Sequence, residues 1–400
     1  MQEVFGGVRV VELAEWAMVP SAAAVLADFG ADVVKVEPVA RGDSMRGLAQ
    51  GGGSPTVDGV ALLVEQANRG KRSIGIDLRT ERGRQVLREL VAGADVVMTS
   101  YLRDTQEALG VTPEELRALN PALVYVRATA AGPRGDATRR GYDSTVYWAR
   151  GGIGFCLTPP GAADIPRSRP GFGDRAAAMN LAFGVAGALY RRAMTGRGGL
   201  VDVSLLGTAV WQLANDISYT RGTGVENSRR AAVPNPLSYC YTTADDRGIA
   251  LGMLQSDRFW PELCRALDRP ELLADPRFVD AAARTVHSAE CVAALAEAFR
   301  ARPLAQWRER LAACSGPWEV VQSVHEVLVD EQVVANRYVR GVVGRAEAVL
   351  VASAPVEFDE DVDYELRAAP EHGADTEAVL LELGYDWEAI LALKDAGAVL

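Results

Sequence analysis

Histidine is close to absent from this 400-residue chain, with three copies, and cysteine is little commoner, with five. Cys156, Cys240, Cys264, Cys291 and Cys314 form no CxxC pair, are odd in number and have no histidine at metal-ligand spacing. Neither a disulfide scaffold nor a metal site is expected, and a reducing cytoplasm suits such a set. Basic charge is not in excess: 42 Lys and Arg stand against 53 Asp and Glu, a formal net charge of -11. That excludes nucleic acid as a bulk partner, although a local basic pocket stays possible. The longest apolar run, 176–189, is too short for a membrane span and is interrupted by Asn180, Gly184 and Gly187, so no membrane is expected as a partner. Met1 to Gly7 lack the pattern of a signal peptide. No GxGxxG joins a first strand to a first helix, which argues against a dinucleotide site of the usual type. Internal repeats and low-complexity segments are absent too, and the expectation is a cytoplasmic, soluble protein.

What is present is ordinary for a globular chain, 48% hydrophobic and 24% charged, but longer than one core usually organises. The β-branched run Val8 to Leu13, a helix from Ser21 to Phe29 capped by Ser21 and ended by Gly30, and a strand from Asp32 to Val36 form a β-α-β unit. A basic turn, Asn68 to Arg72, enters a strand. Thr80 caps a helix to Ala92, Ala94 to Thr99 is a strand, Thr112 to Leu119 a short helix with a Thr-Pro-Glu-Glu start, and Leu123 to Ala128 a strand. After Gly132-Pro133 the alternation breaks, with a helical stretch through Tyr147-Trp148 and a strand from Leu200 to Leu205. A separate compositional block, 226–330, reads as strands to about Met253 followed by amphipathic helices at 257–267, 288–299 and 304–313. Val349 to Phe358 is strand-like, and 376–384 and 387–394 are two surface helices. The domain reading is a large α/β domain from 1–225 and 331–400, with a smaller α+β domain inserted between.

The stretch Arg169-Pro170-Gly171-Phe172-Gly173-Asp174 leads into the apolar run. Gly171 and Gly173 permit positive φ and close approach of a bulky ligand. Asp174 falls where a helix N-cap is expected, and two readings stand: a structural cap, or a carboxylate held ionised by the helix terminus and able to act as a nucleophile.

Eight segments together carry a family pattern: Leu26 to Pro38 with Gly42-Asp43 and Arg46; Asn68 to Ile74; Asn120-Pro121; Gly141-Tyr142-Asp143; Gly173-Asp174; Thr195 to Gly198; Val201 to Ser204; and Asn235-Pro236. In this order and spacing the chain resembles the family III CoA-transferases, the CaiB/BaiF group, along essentially its whole length. The resemblance implies a Rossmann-like parallel-sheet large domain made from both chain ends, a small inserted domain, and an interlocked homodimer. It implies that Asp174 attacks an acyl-CoA thioester, giving an acyl-aspartyl anhydride and then an aspartyl-CoA thioester, with the CoA thioester as substrate and no permanently bound cofactor. Gly171, Gly173, Tyr142 and Asp143 would then border the substrate and its oxyanion. Lys71, Arg72, Arg46, Arg103, Pro38 and Tyr101 would stand around CoA.

The pattern is not followed everywhere. Met18-Val19-Pro20 replaces a frequent Ala-Gly-Pro, Ala17 replaces a polar residue, Ser100 to Asp104 replaces Asn-Phe-Arg-Pro-Gly, and no glycine loop matches at Gly252 to Gln255. These departures speak against an oxalate/formate substrate pair. The same fold hosts α-methylacyl-CoA racemases, which place a histidine where Tyr142 stands. Tyr142 is a poor base near neutrality, and His287, His325 and His372 all follow the nucleophile loop and read as surface residues. Transferase is therefore favoured over racemase, and over a non-catalytic acyl-CoA-binding protein because Asp174 and its glycines are intact. Trp16, Met18, Trp148 and Phe172 read equally as pocket or core.

Overall fold

The computed structural model describes residues 3–135, 137, 139–226, 233–360 and 363–400. Six parallel strands form the main sheet: β1 (Arg9–Leu13), β2 (Asp32–Glu37), β3 (Arg72–Gly75), β4 (Val96–Thr99), β5 (Val124–Thr129) and β6 (Gly199–Ser204). Their order is β3-β2-β1-β4-β5-β6. A parallel sheet is covered on both faces, so its strands are valine-rich rather than alternating with polar residues. Successive residues divide between the two cores. Val10, Val33, Val96 and Val124 face one side, whereas Val11, Val34, Val97 and Tyr125 face the other.

The first side is covered by helices α1 (Met18–Asp28) and α4 (Phe172–Thr195), which meet through small residues including Ala22, Ala23, Ala177 and Ala178. The second is covered by α2 (Glu81–Ala92) and α3 (Pro113–Leu119) with the C-terminal segments. Thr80 caps α2 by accepting from the Gly83 N–H, and Thr112 and Glu115 form a capping box on α3, as their residue types predict. Helix α1 corrects the cap placed at Ser21. It starts three residues earlier with Pro20 in its first turn, where proline costs no hydrogen bond, and leaves Ser21 buried inside the helix.

The chain divides into two compact units, Met1–Gly222 with Val334–Leu400, and Thr223–Val333. The sequence-based boundaries at 226 and 330 fall three residues inside the second unit at either end, and 227–232 lie outside the described residues, as do Met1 and Gln2. The second unit contains an antiparallel sheet in the order β9-β8-β7, formed by β7 (Cys240–Thr242), β8 (Gly248–Leu251) and β9 (Trp318–Val321). Three helices, Ser256–Ala266, Ser288–Arg300 and Leu304–Leu311, pack with it around Trp307, Phe299 and Tyr241.

In the first unit, the strand expected over 349–358 shortens to Leu350–Ala352, paired antiparallel with Val339–Gly341. The helices Thr376–Glu382 and Trp387–Asp395 are more than surface elements: Val379, Leu380, Ile390 and Leu393 are buried in the second-side core. Beyond them the backbone runs along the free edge of β3, with the Leu400 N–H donating to the Gly75 carbonyl at 3.1 Å and the Asp77 N–H to the Ala398 carbonyl at 2.9 Å.

Candidate active site

In an open parallel sheet the crevice for a ligand lies beyond the carboxyl ends of the strands, where the strand order reverses. Here that place is between β1 and β4. The segments leaving β1, β4 and β5 part there and enclose a cavity of about 320 Å³. Glu15, Trp16 and Met18 enter it from the β1 loop, Ser100 to Arg103 from the β4 loop, Arg127 to Ala130 from β5, and Arg140 to Tyr142 from the segment beyond. Asp174 enters from the start of α4.

Asp174 is not the N-cap of α4. Gly171, in the left-handed region at φ 74°, holds that position without a side-chain cap, and Asp174 is the third helical residue. The shift follows from packing at Gly173. Residues Asp143–Arg150 form a π-helix whose Tyr147 is 1% exposed, and a Cβ at Gly173 would lie 2.4 Å from the Tyr147 ring. Only glycine lets α4 begin this close to the π-helix, and π-helical turns recur at functional sites.

The same approach couples two carboxyl groups. Burial, and then the negative charge of Asp143, push the Asp174 carboxyl up to about 7, against the opposing pull of Arg175. The expectation of a carboxylate kept charged by the helix terminus is thereby corrected: near neutral pH Asp174 is poised between its two protonation states. Asp143 is itself buried, and its Oδ2 has no hydrogen-bond partner. Tyr142, 59% exposed, sets its ring edge-on to Trp16 with centroids 5.9 Å apart.

Of the six positions expected around CoA, Arg103 and Tyr101 line this cavity; Arg103 is exposed and pairs with Glu107 at 2.8 Å. Four others are not brought there. Lys71 is fully buried, with Nζ donating to Glu12 Oε2 at 2.6 Å, the Pro20 carbonyl at 2.9 Å and Asn68 Oδ1 at 2.9 Å. Arg72 opens β3 at the amino end of the sheet, opposite the cavity, paired with Asp32 at 2.6 Å and Glu382 at 2.8 Å. Arg46 holds Glu37 at 2.8 Å and lines a separate groove with His372, while Pro38 follows β2 outside the cavity lining.

Arg127 and Arg140 line the cavity and were not singled out in the sequence. The signal for the first was an arginine interrupting the strand Val-Tyr-Val-Arg-Ala-Thr near its carboxyl end; for the second, a basic pair immediately before Gly141-Tyr142-Asp143. Arg127 pairs with Asp202 at 2.7 Å. None of the three histidines lines the cavity. His287 and His325 lie in the second unit, and His372 is half-buried rather than on the surface, its Nε2 without a partner.

Similar proteins are found both by sequence and by structure. A profile of CoA-transferase family III matches residues 5–376. The (R)-2-hydroxy-4-methylpentanoate CoA-transferase of Clostridioides difficile is 31% identical over 396 residues, 98% of each chain. The cinnamoyl-CoA:phenyllactate CoA-transferase of Clostridium sporogenes is 31% identical, covering 98% of this chain and 96% of its own. Among solved structures, a CaiB/BaiF family protein from Brucella suis superposes with a TM-score of 0.82 at 30% identity, covering 96% of this chain and all of the other. Among the described residues no helix is long and apolar enough to cross a membrane. With the family match over residues 5–376, the relatives aligned along nearly their whole length and the like fold of a solved family member in agreement, the chain belongs to CoA-transferase family III and is a CoA-transferase enzyme.

Proposed function

We propose that the protein moves CoA from an acyl-CoA thioester to a carboxylic acid through two kinds of covalent intermediate on Asp174. The observation that carries this reading is the position of Asp174, a largely buried carboxyl on the first turn of α4 that opens into the switch-point cavity. A carboxylate oxygen of Asp174 attacks the thioester carbonyl, the C–S bond breaks, and an acyl-aspartyl anhydride and CoA thiolate result. The thiolate then attacks the aspartyl carbonyl, breaking the anhydride C–O bond, releasing the donor as a carboxylate and leaving an aspartyl-CoA thioester. The acceptor carboxylate repeats both steps in reverse and restores Asp174. No net proton is taken up. A thiol near pKa 8.5 is a good enough leaving group to depart without a strong general acid.

Each attack raises negative charge on a carbonyl oxygen. The Phe172 N–H donates to the Arg169 carbonyl at 3.2 Å, which leaves the Gly173 and Asp174 N–H groups of the first turn, with Gly171 and Gly173 free of side chains, as the donors this reading assigns to it. Arg103, Arg127 and Arg140 are assigned to the CoA phosphates, replacing the buried Lys71. The racemase alternative is disfavoured because, among the described residues, the cavity lining contains Tyr142 but no histidine, and its other carboxylate, Glu15, is tied up by Arg41 and Ser44. A non-catalytic binder would have no use for a carboxyl raised towards 7. Incubation with acyl-CoA followed by hydroxylamine is expected to leave a mass shift on the peptide carrying Asp174. A chain that stays unmodified while binding the thioester defeats the mechanism.

The homodimer belongs to the same proposal. Phe183, Tyr190 and Met194 along α4, and Trp211 beyond it, are 80, 70, 70 and 75% exposed, and the helix Ala214–Thr223 buries no residue of its own. Such surface is what association covers. Light scattering is expected to give twice the 42.7 kDa chain mass; a monomer at micromolar concentration would refute it.

A further inference from the structure

The chain has three lysines, and two of them, Lys35 and Lys71, are completely buried beside Glu12 and Asp43. Lys35 Nζ lies 2.7 Å from Glu12 Oε1 and 2.8 Å from Asp43 Oδ2. Removing four charges from water costs several kcal/mol for each ion, and apolar residues of similar volume would often do as well for stability. What the cluster holds in place is therefore the informative part. Lys35 donates to the Ala14 carbonyl at 2.8 Å, Lys71 to the Pro20 carbonyl at 2.9 Å, and Asp43 Oδ1 accepts from the N–H groups of Trp16 at 3.1 Å and Met45 at 2.9 Å. Three backbone points along the turn from β1 into α1 are thus fixed by buried charges.

Between them Trp16 sits at φ 71°, a left-handed conformation that an aromatic residue adopts only when its surroundings impose it. Its neighbour is clamped by the same loop, Glu15 accepting from Arg41 Nη2 at 2.7 Å and the Ser44 N–H at 3.1 Å. The indole so placed is a wall of the cavity that holds Asp174, braced edge-on by Tyr142 and followed by Met18.

We infer that Asp43 is a positioning residue which, through the Trp16 peptide, sets an aromatic wall against the acyl group, so that the site favours acyl groups with a branched or aromatic body over acetyl. The inference rests on the Asp174 cavity being the acyl-CoA site, and its test is read from binding rather than turnover. Asp43 and Lys35 touch no substrate; Trp16 is the contact.

Affinities of acetyl-CoA, 4-methylpentanoyl-CoA and 3-phenylpropanoyl-CoA measured by calorimetry on the full chain decide it. Trp16→Gly removes the ring and suits the positive φ; it is expected to reduce the preference for the two bulky thioesters over acetyl-CoA about tenfold, the size of a lost apolar contact set. Asp43→Ser can cap Met45 but is too short to hold Trp16 as well, and is expected to lower the same preference about fivefold. Asp43→Ser combined with Lys35→Met removes both charges of one pair, which keeps the test open if the single variant does not fold. In a Trp16→Gly background either change is expected to add nothing, because the wall it positions has gone. Independent, multiplying effects, or a preference that Asp43→Ser leaves untouched, overturn the inference. Wild-type protein that shows the size preference yet transfers no CoA upholds it and overturns the proposed reaction instead. Absence of any acyl-CoA binding overturns both.

Discussion

Replacing Asp174 by alanine is expected to lower CoA transfer by about four orders of magnitude or more, the scale on which nucleophile deletions fall. The neighbouring Asp143 does not substitute for it, because it belongs to the π-helix and carries its own buried, unpartnered oxygen. The same carboxyl has a second signature, in stability. Its ordinary value is 3.8, and the fold raises it to about 7, so the folded state binds this proton more tightly than the unfolded chain does. The penalty is absent below about pH 4, grows as pH climbs towards 7, and is constant above that. Allowing for the part of Asp174 that reaches solvent, it amounts to about 3 kcal/mol. Asp174→Asn keeps the shape without the charge, so it is expected to melt higher than wild type at pH 8 and at the same temperature at pH 4. Activity lost with a pH-dependent gain in melting temperature marks a functional carboxyl. Activity retained within tenfold would eliminate Asp174 as the nucleophile, and an equal or lower melting point at pH 8 would eliminate the strain assigned to it.

The rate of transfer is expected to rise about tenfold per pH unit from pH 5 and to level near 7, a loss of about a hundredfold over the lower two units. The sign follows from the chemistry, since the ionised form attacks and its fraction falls as pH drops below its pKa. Asp143→Asn removes the second-largest cause of the raised value and is expected to move the midpoint to lower pH without restoring the ordinary value, because burial, the larger cause, remains. Profiles of kcat/KM for the two proteins, taken in buffers of constant ionic strength, check both statements. A flat wild-type profile from pH 5 to 8 contradicts the poised carboxyl, and an unmoved midpoint in the variant contradicts the coupling.

The sheet was legible because its causes are local: valine runs, Thr80 and Thr112 as caps, and Gly30 as a terminator all act within a few residues. Asp174 was legible as a residue but misplaced as a cap, because the start of α4 is decided by the fit of Gly173 to Tyr147, twenty-six residues away in the chain. Distance in sequence also hid the fate of the basic turn. Nothing in Asn68 to Arg72 says that Lys71 meets Glu12 inside the sheet or that Arg72 points to the sheet's other end. Burial of charge is a property of the assembled strands. Arg127 was overlooked for the converse reason, an arginine inside a strand being easily taken as part of its solvent edge.

In the proposed mechanism, the alanine contact between α1 and α4 separates the part of the site that would react from the parts that would choose. Ala22, Ala23, Ala177 and Ala178 leave almost no room for a larger side chain, so the helix carrying Asp174 is tied to α1 by a seam with little freedom to drift. The loop after β1 is held by buried charges rather than by such a seam. If Asp174 is the reacting carboxyl, substitutions at Trp16, Tyr101 or Tyr142 are expected to alter which acids are accepted, whereas enlarging one of the alanines is expected to displace the carboxyl itself.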